Sequence, residues 1–223
     1  MLFLRKLHKW LGLIIGLQVV LWAASGVAFA WLDRDDVAAT NSVRTVEPAV
    51  LSQAIVKTDP AAWIGDYAPQ DLYDVRAVSL ADRWVWRVEL RDRVELRAVE
   101  DGSRVKLNED WLRRLALGRY AGGGHLVAAT LQVQPDIASR ASGPVWQAQF
   151  DDPQRTALYF AADDGHFVAA RTDSWRWYDF FWMLHTMDYA GRDNFNNPLI
   201  IIIGMAALWL SVSGVLLLTR SFR

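Results

Sequence analysis

The sequence predicts an α+β membrane protein in which a transmembrane helix at each end of the chain flanks a soluble central domain. Two observations predict the membrane helices: both ends of the chain are apolar and almost free of charge, and the acidic residues all lie between them. A third observation, a repeated helix-and-strand pattern in the middle, predicts the soluble domain. The 223 residues exceed what two helices need and leave room for one globular unit.

The first apolar run lies in the N-terminal segment 1–33 and is uncharged from Trp10 to Leu32. A helix of about 20 apolar residues crosses a bilayer. A cleaved signal peptide is the alternative, because basic residues precede the run and residues 28–30 (AFA) resemble a cleavage site. The run is longer than the apolar core of a signal peptide, which has about 7–15 residues. We therefore expect a retained helix.

The second apolar run lies in the C-terminal segment 198–223 and is uncharged from Pro198 to Thr219. The charges outside the middle of the chain are all basic: Arg5, Lys6, Lys9, Arg220 and Arg223. Under the positive-inside rule, both termini are then cytoplasmic. We expect a multi-pass protein of the bacterial inner (plasma) membrane, in contact with the lipid bilayer and with its central domain in the periplasm.

The central domain, 34–173, is predicted to contain two copies of one unit, about 45–105 and about 106–170. Each copy begins with a short helix, predicted over Glu47–Lys57 in the first copy and over Glu109–Gly118 in the second. Each helix is followed by three antiparallel strands, which the alternation of apolar and polar residues indicates.

The predicted strands are 71–80, 83–90 and 93–100 in the first copy, and 125–133, 144–150 and 156–162 in the second. An Asp-Gly pair, typical of a tight turn, closes each copy: Asp101-Gly102 and Asp164-Gly165. This internal similarity predicts a duplicated domain.

An aromatic segment, 174–197, precedes the second apolar run. Its aromatic residues and one histidine recur at helical spacing: Trp175, Tyr178, Phe181, Trp182 and His185. Because Trp and Tyr concentrate at the edges of a bilayer, we predict an amphipathic helix that lies on the outer membrane surface.

Composition excludes several functional classes. The absence of cysteine excludes disulfides, thiolate metal sites and cysteine nucleophiles. A net charge of −1 without a basic stripe gives no indication of nucleic-acid binding. Acidic pairs such as Asp151-Asp152 and Asp163-Asp164 fall in predicted turns, where Asp is common. The arginines between Arg83 and Arg97 alternate with apolar residues and predict a solvent-exposed sheet face.

Four histidines are present. His125 and His166 follow glycine-containing loops, where we expect exposed side chains without a cofactor role. His8 and His185 lie instead at the predicted membrane boundaries, where an ionisable side chain is a candidate functional residue. They are separated by the bilayer core of about 30 Å, so one chain cannot use both to bind one iron.

His8 shares a predicted helical face with Gly12 and Gly16. These glycines allow either a close helix–helix contact of the Gly-x-x-x-Gly kind or space for a flat porphyrin ligated by His8. His185 is either an interfacial hydrogen-bonding residue or an iron ligand whose second ring nitrogen is oriented by Asp188 or Asp179. The residues alone leave both alternatives open.

Short motifs at both ends of the chain resemble the PepSY-associated transmembrane (PepSY-TM) family. They are the basic Arg5-Lys6-Leu7-His8-Lys9-Trp10-Leu11-Gly12 start, Ser25-Gly26 late in the first apolar run, Trp182-x-x-His185-x-Met187-Asp188, and Ser213-Gly214 in the second apolar run. The hairpin and Asp-Gly turn of each central copy resemble PepSY domains.

This resemblance implies haem b bound through His8 and His185, in a subunit of a haem-dependent ferric or siderophore reductase. Larger members have about four helices, so the two-helix chain is expected to form a homodimer or to join a partner membrane subunit. A periplasmic ferric siderophore is the implied electron acceptor. The alternative is a non-enzymatic binding module, either a peptidase regulator or a scaffold subunit of an uptake system.

Overall fold

The computed structural model describes the chain over residues 2–46 and 57–221, with side chains over 6–46 and 57–219. The chain divides into two compact units. The helical unit contains Met1–Arg34 and Ser174–Arg223, and the sheet unit is Asp35–Asp173.

The helical unit is built from three helices: α1 (Leu2–Trp31), α4 (Asp173–Thr186) and α5 (Pro198–Ser221). Two of them are long and apolar enough to cross a bilayer, over Lys6–Trp31 and Pro198–Thr219. Pro198 begins α5, where its missing N–H costs no helical hydrogen bond. The predicted interfacial helix over 174–197 was too long, because α4 ends at Thr186 and a loop follows.

The sheet unit contains two four-stranded antiparallel sheets with the strand orders β1-β2-β3-β4 and β5-β6-β7-β8. The first sheet comprises β1 (Leu72–Leu80), β2 (Arg83–Leu90), β3 (Val94–Ala98) and β4 (Arg104–Val105). The second comprises β5 (Leu126–Gln132), β6 (Val145–Phe150), β7 (Ala157–Ala161) and β8 (Phe167–Arg171). The prediction of three strands per copy was wrong, because the chain after each Asp-Gly turn pairs back as a fourth strand. A short helix, α2 (Arg34–Ala38), precedes the sheets.

The two sheets repeat each other in detail. The first strand of each has a register shift near its start, after Leu72 in β1 and after Leu126 in β5. Each Asp-Gly turn holds its glycine at positive φ, 73° at Gly102 and 70° at Gly165. In each turn the aspartate side chain accepts the backbone N–H two residues later, at 2.9 Å in the first and 3.0 Å in the second. These shared irregularities are strong evidence of duplication.

Helix α3 (Glu109–Arg119) lies between the two sheets and joins their cores. Its first turn is capped by Asn108, whose Oδ1 accepts the Trp111 N–H at 3.1 Å. Trp111 packs on the first sheet, against Leu80, Val85 and Leu96. Leu112 and Ala116 pack on the second sheet, against Ala148, Phe150, Leu158 and Phe160. The helix predicted over Glu47–Lys57 lies outside the described residues except for Lys57.

The arginine-rich strands are not a uniformly solvent-exposed face, so that prediction was wrong. Arg97 on β3 is only 5% exposed. It pairs with β4 in the way that Phe160 pairs with β8 in the second sheet, so the two residues occupy equivalent positions. One copy of the repeat thus buries a guanidinium where the other buries an aromatic ring.

The Arg97 guanidinium is stabilised by two aromatic rings and by hydrogen bonds from its N–H groups. It stacks over Trp63 and Tyr67, with distances of 4.8 and 5.0 Å to the ring centroids. Its N–H groups donate to the Tyr67 hydroxyl at 2.7 Å, the Gly102 carbonyl at 2.9 Å and the Asp66 carboxylate at 2.9 Å. A buried charge requires such partners, because desolvation is otherwise costly.

Arg87 on β2 reaches across to the turn of the second copy and binds Asp164 at 2.9 Å. The Asp164 side chain is 4% exposed. Burial alone would raise the pKa of Asp164, but hydrogen bonds from the His166 N–H and from Arg87 outweigh it and hold the pKa below its ordinary value. Asp164 therefore connects the two copies as a buried carboxylate rather than as an ordinary turn residue.

We predict that Arg97→Ala lowers the stability of the sheet unit by about 2–3 kcal/mol, because it leaves buried acceptors unpaired and removes the stacking on Trp63. Tryptophan fluorescence during urea unfolding of the detergent-solubilised chain measures the effect. Arg76→Ala is the matched control, since the Arg76 side chain is 59% exposed and its contact to Asp74 is 3.5 Å long. Equal losses in the two variants would contradict the assignment.

We also predict that Asp164 contributes to the loss of folding stability of the sheet unit at acidic pH. Its native pKa is lower than in the unfolded chain, so its contribution is complete above about pH 4 and is lost as the pH falls through the native pKa. Asp164→Asn should be less stable at pH 7 and lose less stability on acidification. Unfolding curves between pH 7 and pH 3 test this, with Asp92→Asn, at a 69% exposed side chain, as the control.

Candidate functional site

The helical unit buries a small set of polar side chains within its apolar helices. Ser25 on α1 is fully buried, Ser213 on α5 is 4% exposed, and Gln18 on α1 is 9% exposed. In an apolar environment each polar group requires a hydrogen-bond partner. The partners of these residues include both candidate histidines.

His185, near the end of α4, is bound to α1. Its Nδ1 atom lies 2.8 Å from the Ser25 hydroxyl. Its ring lies among aromatic side chains of α1, with centroid distances of 6.2 Å to Trp22 and 5.8 Å to Phe29. The ring of Phe29 also packs against that of Tyr178 on α4, with 4.9 Å between the ring centroids. The aromatic face that the sequence predicts for this segment therefore packs on α1.

His8, near the start of α1, is bound to α5. Its Nδ1 atom lies 2.8 Å from the Ser213 hydroxyl. The ring lies beside Gly214, where a Cβ atom would be 3.4 Å from His8 Cε1 and 4.0 Å from Nε2. The absence of a side chain at Gly214 lets the imidazole approach α5 closely.

The two histidine sites thus have the same arrangement: Nδ1 of an imidazole binds the serine of a Ser-Gly pair on another helix. Within the described part of the chain, the Nε2 atom of neither ring has a hydrogen-bond partner. Ser25 lies 17 residues after His8, which separates the two sites by about 25 Å along α1. One chain therefore offers two separate single-histidine sites, in agreement with the separation that the sequence predicts.

Side chains of α1 also cap the end of α4. The last carbonyls of a helix have no partner within it. The carbonyl of Leu184 accepts from Gln18 Nε2 at 3.3 Å, and that of His185 accepts from Trp22 Nε1 at 2.8 Å. The carbonyl of Thr186 accepts from Asn197 Nδ2 at 2.7 Å. His185 is consequently fixed through both its ring and its backbone.

The expectation that Asp188 or Asp179 orients His185 was wrong, because Ser25 binds its Nδ1. Asp188 instead accepts the backbone N–H groups of Gly191, Asp193 and Asn194 at 2.9–3.2 Å. Hydrogen bonds from these N–H groups, that of Asn194 foremost, lower the pKa of Asp188. Asp179 pairs with Arg192 at 2.7 Å. Both carboxylates thus stabilise the loop between α4 and α5.

The predicted glycine face of α1 divides in two. A Cβ atom at Gly12 would lie 4.0 Å from Leu210 of α5, so Gly12 is part of the helix contact. A Cβ at Gly16 would meet no described atom within 4 Å, and the same holds at Gly26 of the Ser25-Gly26 pair. Residues spaced by four drift around a helix of 3.6 residues per turn, which moves this row away from α5.

The other two histidines lie in the sheet unit. The His125 side chain is 89% exposed, as expected for its loop. The His166 side chain is 63% exposed and contacts the Asp164 carboxylate through Nδ1 at 2.6 Å. Asp163, Asp164 and His166 are close enough to bind one ion, and they form the only such group among the described residues. Asp164 is already paired with Arg87, so this group is explained by the connection between the copies.

Sequence reasoning found both histidines and missed their partners. Ser25 and Gln18 are visible as polar interruptions of an apolar run, and this was the available signal. Which residue each one binds depends on how α1, α4 and α5 pack.

Two helices long and apolar enough to cross a bilayer, with a duplicated antiparallel domain between them in the chain, define the class of an α+β membrane protein. The chain belongs to the PepSY-associated TM region family, whose model matches residues 3–221. No curated protein and no solved structure gives a significant match.

We predict that Trp22→Phe lowers the thermal stability of the helical unit, because it removes the N–H that caps the His185 carbonyl and retains an aromatic ring. The expected loss is about 1 kcal/mol. Thermal unfolding in detergent, followed by circular dichroism, measures the change. Trp31→Phe is the control, since Trp31 is 86% exposed. The capping role would be contradicted by an equal shift in both variants.

Proposed function

We propose that this protein is a haem-binding electron-transfer component of the bacterial inner membrane, linked to the reduction of ferric siderophores during iron uptake. The single observation that carries the proposal is the shared arrangement of His8 and His185. Each imidazole is held through Nδ1 inside the apolar helical unit, with Nε2 unbonded among the described residues.

The donor chemistry of the two sites fits haem b. Imidazole nitrogen is an ordinary axial ligand of haem iron, and a ligating histidine usually engages its other ring nitrogen in a hydrogen bond. His8 and His185 would each hold the iron of a separate haem, and the open positions beside Gly16 and Gly26 leave room near α1. Bound haem supplies a one-electron Fe(III)/Fe(II) couple. The residues that would hold haem lie near the two ends of α1, His8 on α1 itself and His185 beside Ser25.

A second copy of the chain would complete these sites. Each site has one imidazole, and two-fold symmetry would bring the same histidine of a second copy to the same haem. Two helices per chain then form a four-helix bundle, where cofactors commonly lie between helices. A partner membrane subunit with its own histidines is the other way to supply the second ligand. The haem-to-chain ratio and the mass of the detergent-solubilised complex separate the two cases.

We predict that the purified wild-type chain shows a Soret band and that His8→Ala and His185→Ala each remove about half of the bound haem. His125→Ala is the matched control, because its ring is 89% exposed and distant in sequence from the helical unit. Absorption spectra and pyridine haemochrome assays measure the loss. A wild-type chain without a Soret band after expression with sufficient haem would refute the proposal, as would an equal loss in His125→Ala.

The proposed topology places the sheet unit in the periplasm and both termini in the cytoplasm, because all charges beyond the spans at either end are basic. The absence of cysteine makes single-cysteine labelling specific. We expect a membrane-impermeant maleimide to label Asp92→Cys in spheroplasts, and to label Lys9→Cys only after lysis. The reverse pattern would contradict the topology, and the wild-type chain controls for background.

A groove in the sheet unit favours a second candidate, a membrane-anchored binding module that regulates a peptidase or organises an uptake system. The groove has a volume of about 570 Å³ and lies between the end of β1, the second half of α3 and the start of β8. Arg114, Arg119 and His166 line it, which suits an acidic segment of a protein partner. A partner crosslinked by the haem-free wild-type chain and lost in Arg119→Glu would support this function.

A further inference from the structure

We propose that Ser25 and Ser213 are positioning residues that keep a proton on Nδ1 of His185 and of His8, so that Nε2 of the neutral ring carries the electron pair. The claim that Nε2 binds iron rests on the proposed haem function; the claim about the position of the proton does not. The location of the proton follows from hydrogen bonds within the helical unit.

The argument begins with the single proton of a serine hydroxyl. Ser25 Oγ lies 2.9 Å from the carbonyl oxygen of Trp22, three residues earlier on α1. A carbonyl oxygen only accepts, so the hydroxyl proton is used in this bond. The bond of 2.8 Å between Ser25 Oγ and His185 Nδ1 must then be donated by the imidazole. His185 therefore carries its proton at Nδ1.

Ser213 repeats this arrangement on α5. Its hydroxyl lies 3.0 Å from the Leu210 carbonyl oxygen, again three residues earlier. The oxygen is left to accept from His8 Nδ1 at 2.8 Å. Two histidines on different helices thus reach the same protonation pattern through the same local geometry.

Burial makes this pattern robust. Ser25 is fully buried and Ser213 is 4% exposed, so neither hydroxyl can exchange its carbonyl for bulk water. A neutral imidazole has one N–H, and the hydrogen bond of one nitrogen determines the state of the other. With the proton at Nδ1, Nε2 has the electron pair that an iron ligand requires. The opposite tautomer would place a proton there and prevent ligation.

Neighbouring groups also fix the direction of each electron pair. The Trp22 N–H donates to the His185 carbonyl, and Phe29 meets the His185 ring edge-on at 60°. Gly214 lies beside the Cε1–Nε2 edge of His8 and contributes no side chain there. Each serine therefore sets the tautomer, while aromatic or glycine neighbours set the ring orientation.

The test is a two-bond ¹H–¹⁵N correlation spectrum of the haem-free, ¹⁵N-histidine-labelled full chain in detergent micelles at pH 8. His→Ala variants assign the four rings. We expect the Nδ1–H pattern for His8 and His185, and the Nε2–H form that dominates in water for the exposed His125. Nε2–H patterns at His8 or His185 would overturn the inference.

The serine variants separate positioning from packing. Ser25→Ala should change only the His185 pattern, and Ser213→Ala only that of His8, toward the Nε2–H form. Ser25→Thr and Ser213→Thr retain the hydroxyl and should restore the wild-type pattern. Ser25 has no exposed surface, whereas Ser213 is 4% exposed. The additional methyl group of threonine is therefore easier to accommodate at position 213. Unchanged patterns in both alanine variants would show that the serines do not determine the tautomer.

A second readout uses the haem-loaded chain. Loss of the acceptor for Nδ1–H makes an axial imidazole a weaker electron donor, so each alanine variant should raise the reduction potential of one haem, and threonine should reverse the shift. An unshifted potential would contradict the positioning role. A wild-type chain with the Nδ1–H pattern but no haem would refute the proposed function alone, so the two failures are distinguishable.

Discussion

The requirement that polar groups be paired in an apolar environment determines how the helical unit is assembled. Lipid provides no hydrogen bonds, so each buried polar side chain must find a partner on its own or a neighbouring helix. Ser25 satisfies itself through its own helix and through His185, and Ser213 does so through its own helix and His8. These contacts specify which helices are neighbours and in what register they pack. Contacts between apolar side chains are less specific, because one apolar side chain can replace another, and they determine the packing register of the helices less strictly.

The same requirement explains the junction of α4 and α5. The end of α4 leaves carbonyls that its own backbone cannot satisfy. Gln18 and Trp22 supply donors from α1, and Asn197 supplies one while its Oδ1 accepts the Ile200 N–H at the start of α5. One asparagine thus ends one helix and begins the next. The histidine near this junction, His185, is held both through its ring and through its backbone carbonyl.

The sheet unit shows how a duplicated fold accommodates different chemistry in its two copies. Both copies keep the register shift in their first strand and the Asp-Gly turn, which are backbone features. The side chains diverge at equivalent positions: Arg97 stacks on Trp63 in the first sheet, and Phe160 joins the core of the second. The turn residue Asp164 is buried by Arg87. The two copies therefore share their backbone geometry but differ in which side chains they bury.

The sequence by itself determined the elements of this protein: two helices with long uncharged apolar runs, two sets of strands with alternating apolar and polar residues, the Asp-Gly turns, and the two histidines near the ends of the spans. These follow from periodicity, charge and turn chemistry, which act over a few residues. Only the tertiary structure decided the fourth strand of each sheet, the burial of Arg97 and the partners of His8 and His185. Those depend on contacts between residues up to about 200 positions apart, as between His8 and Ser213, and local sequence does not encode which distant side chain completes a hydrogen bond.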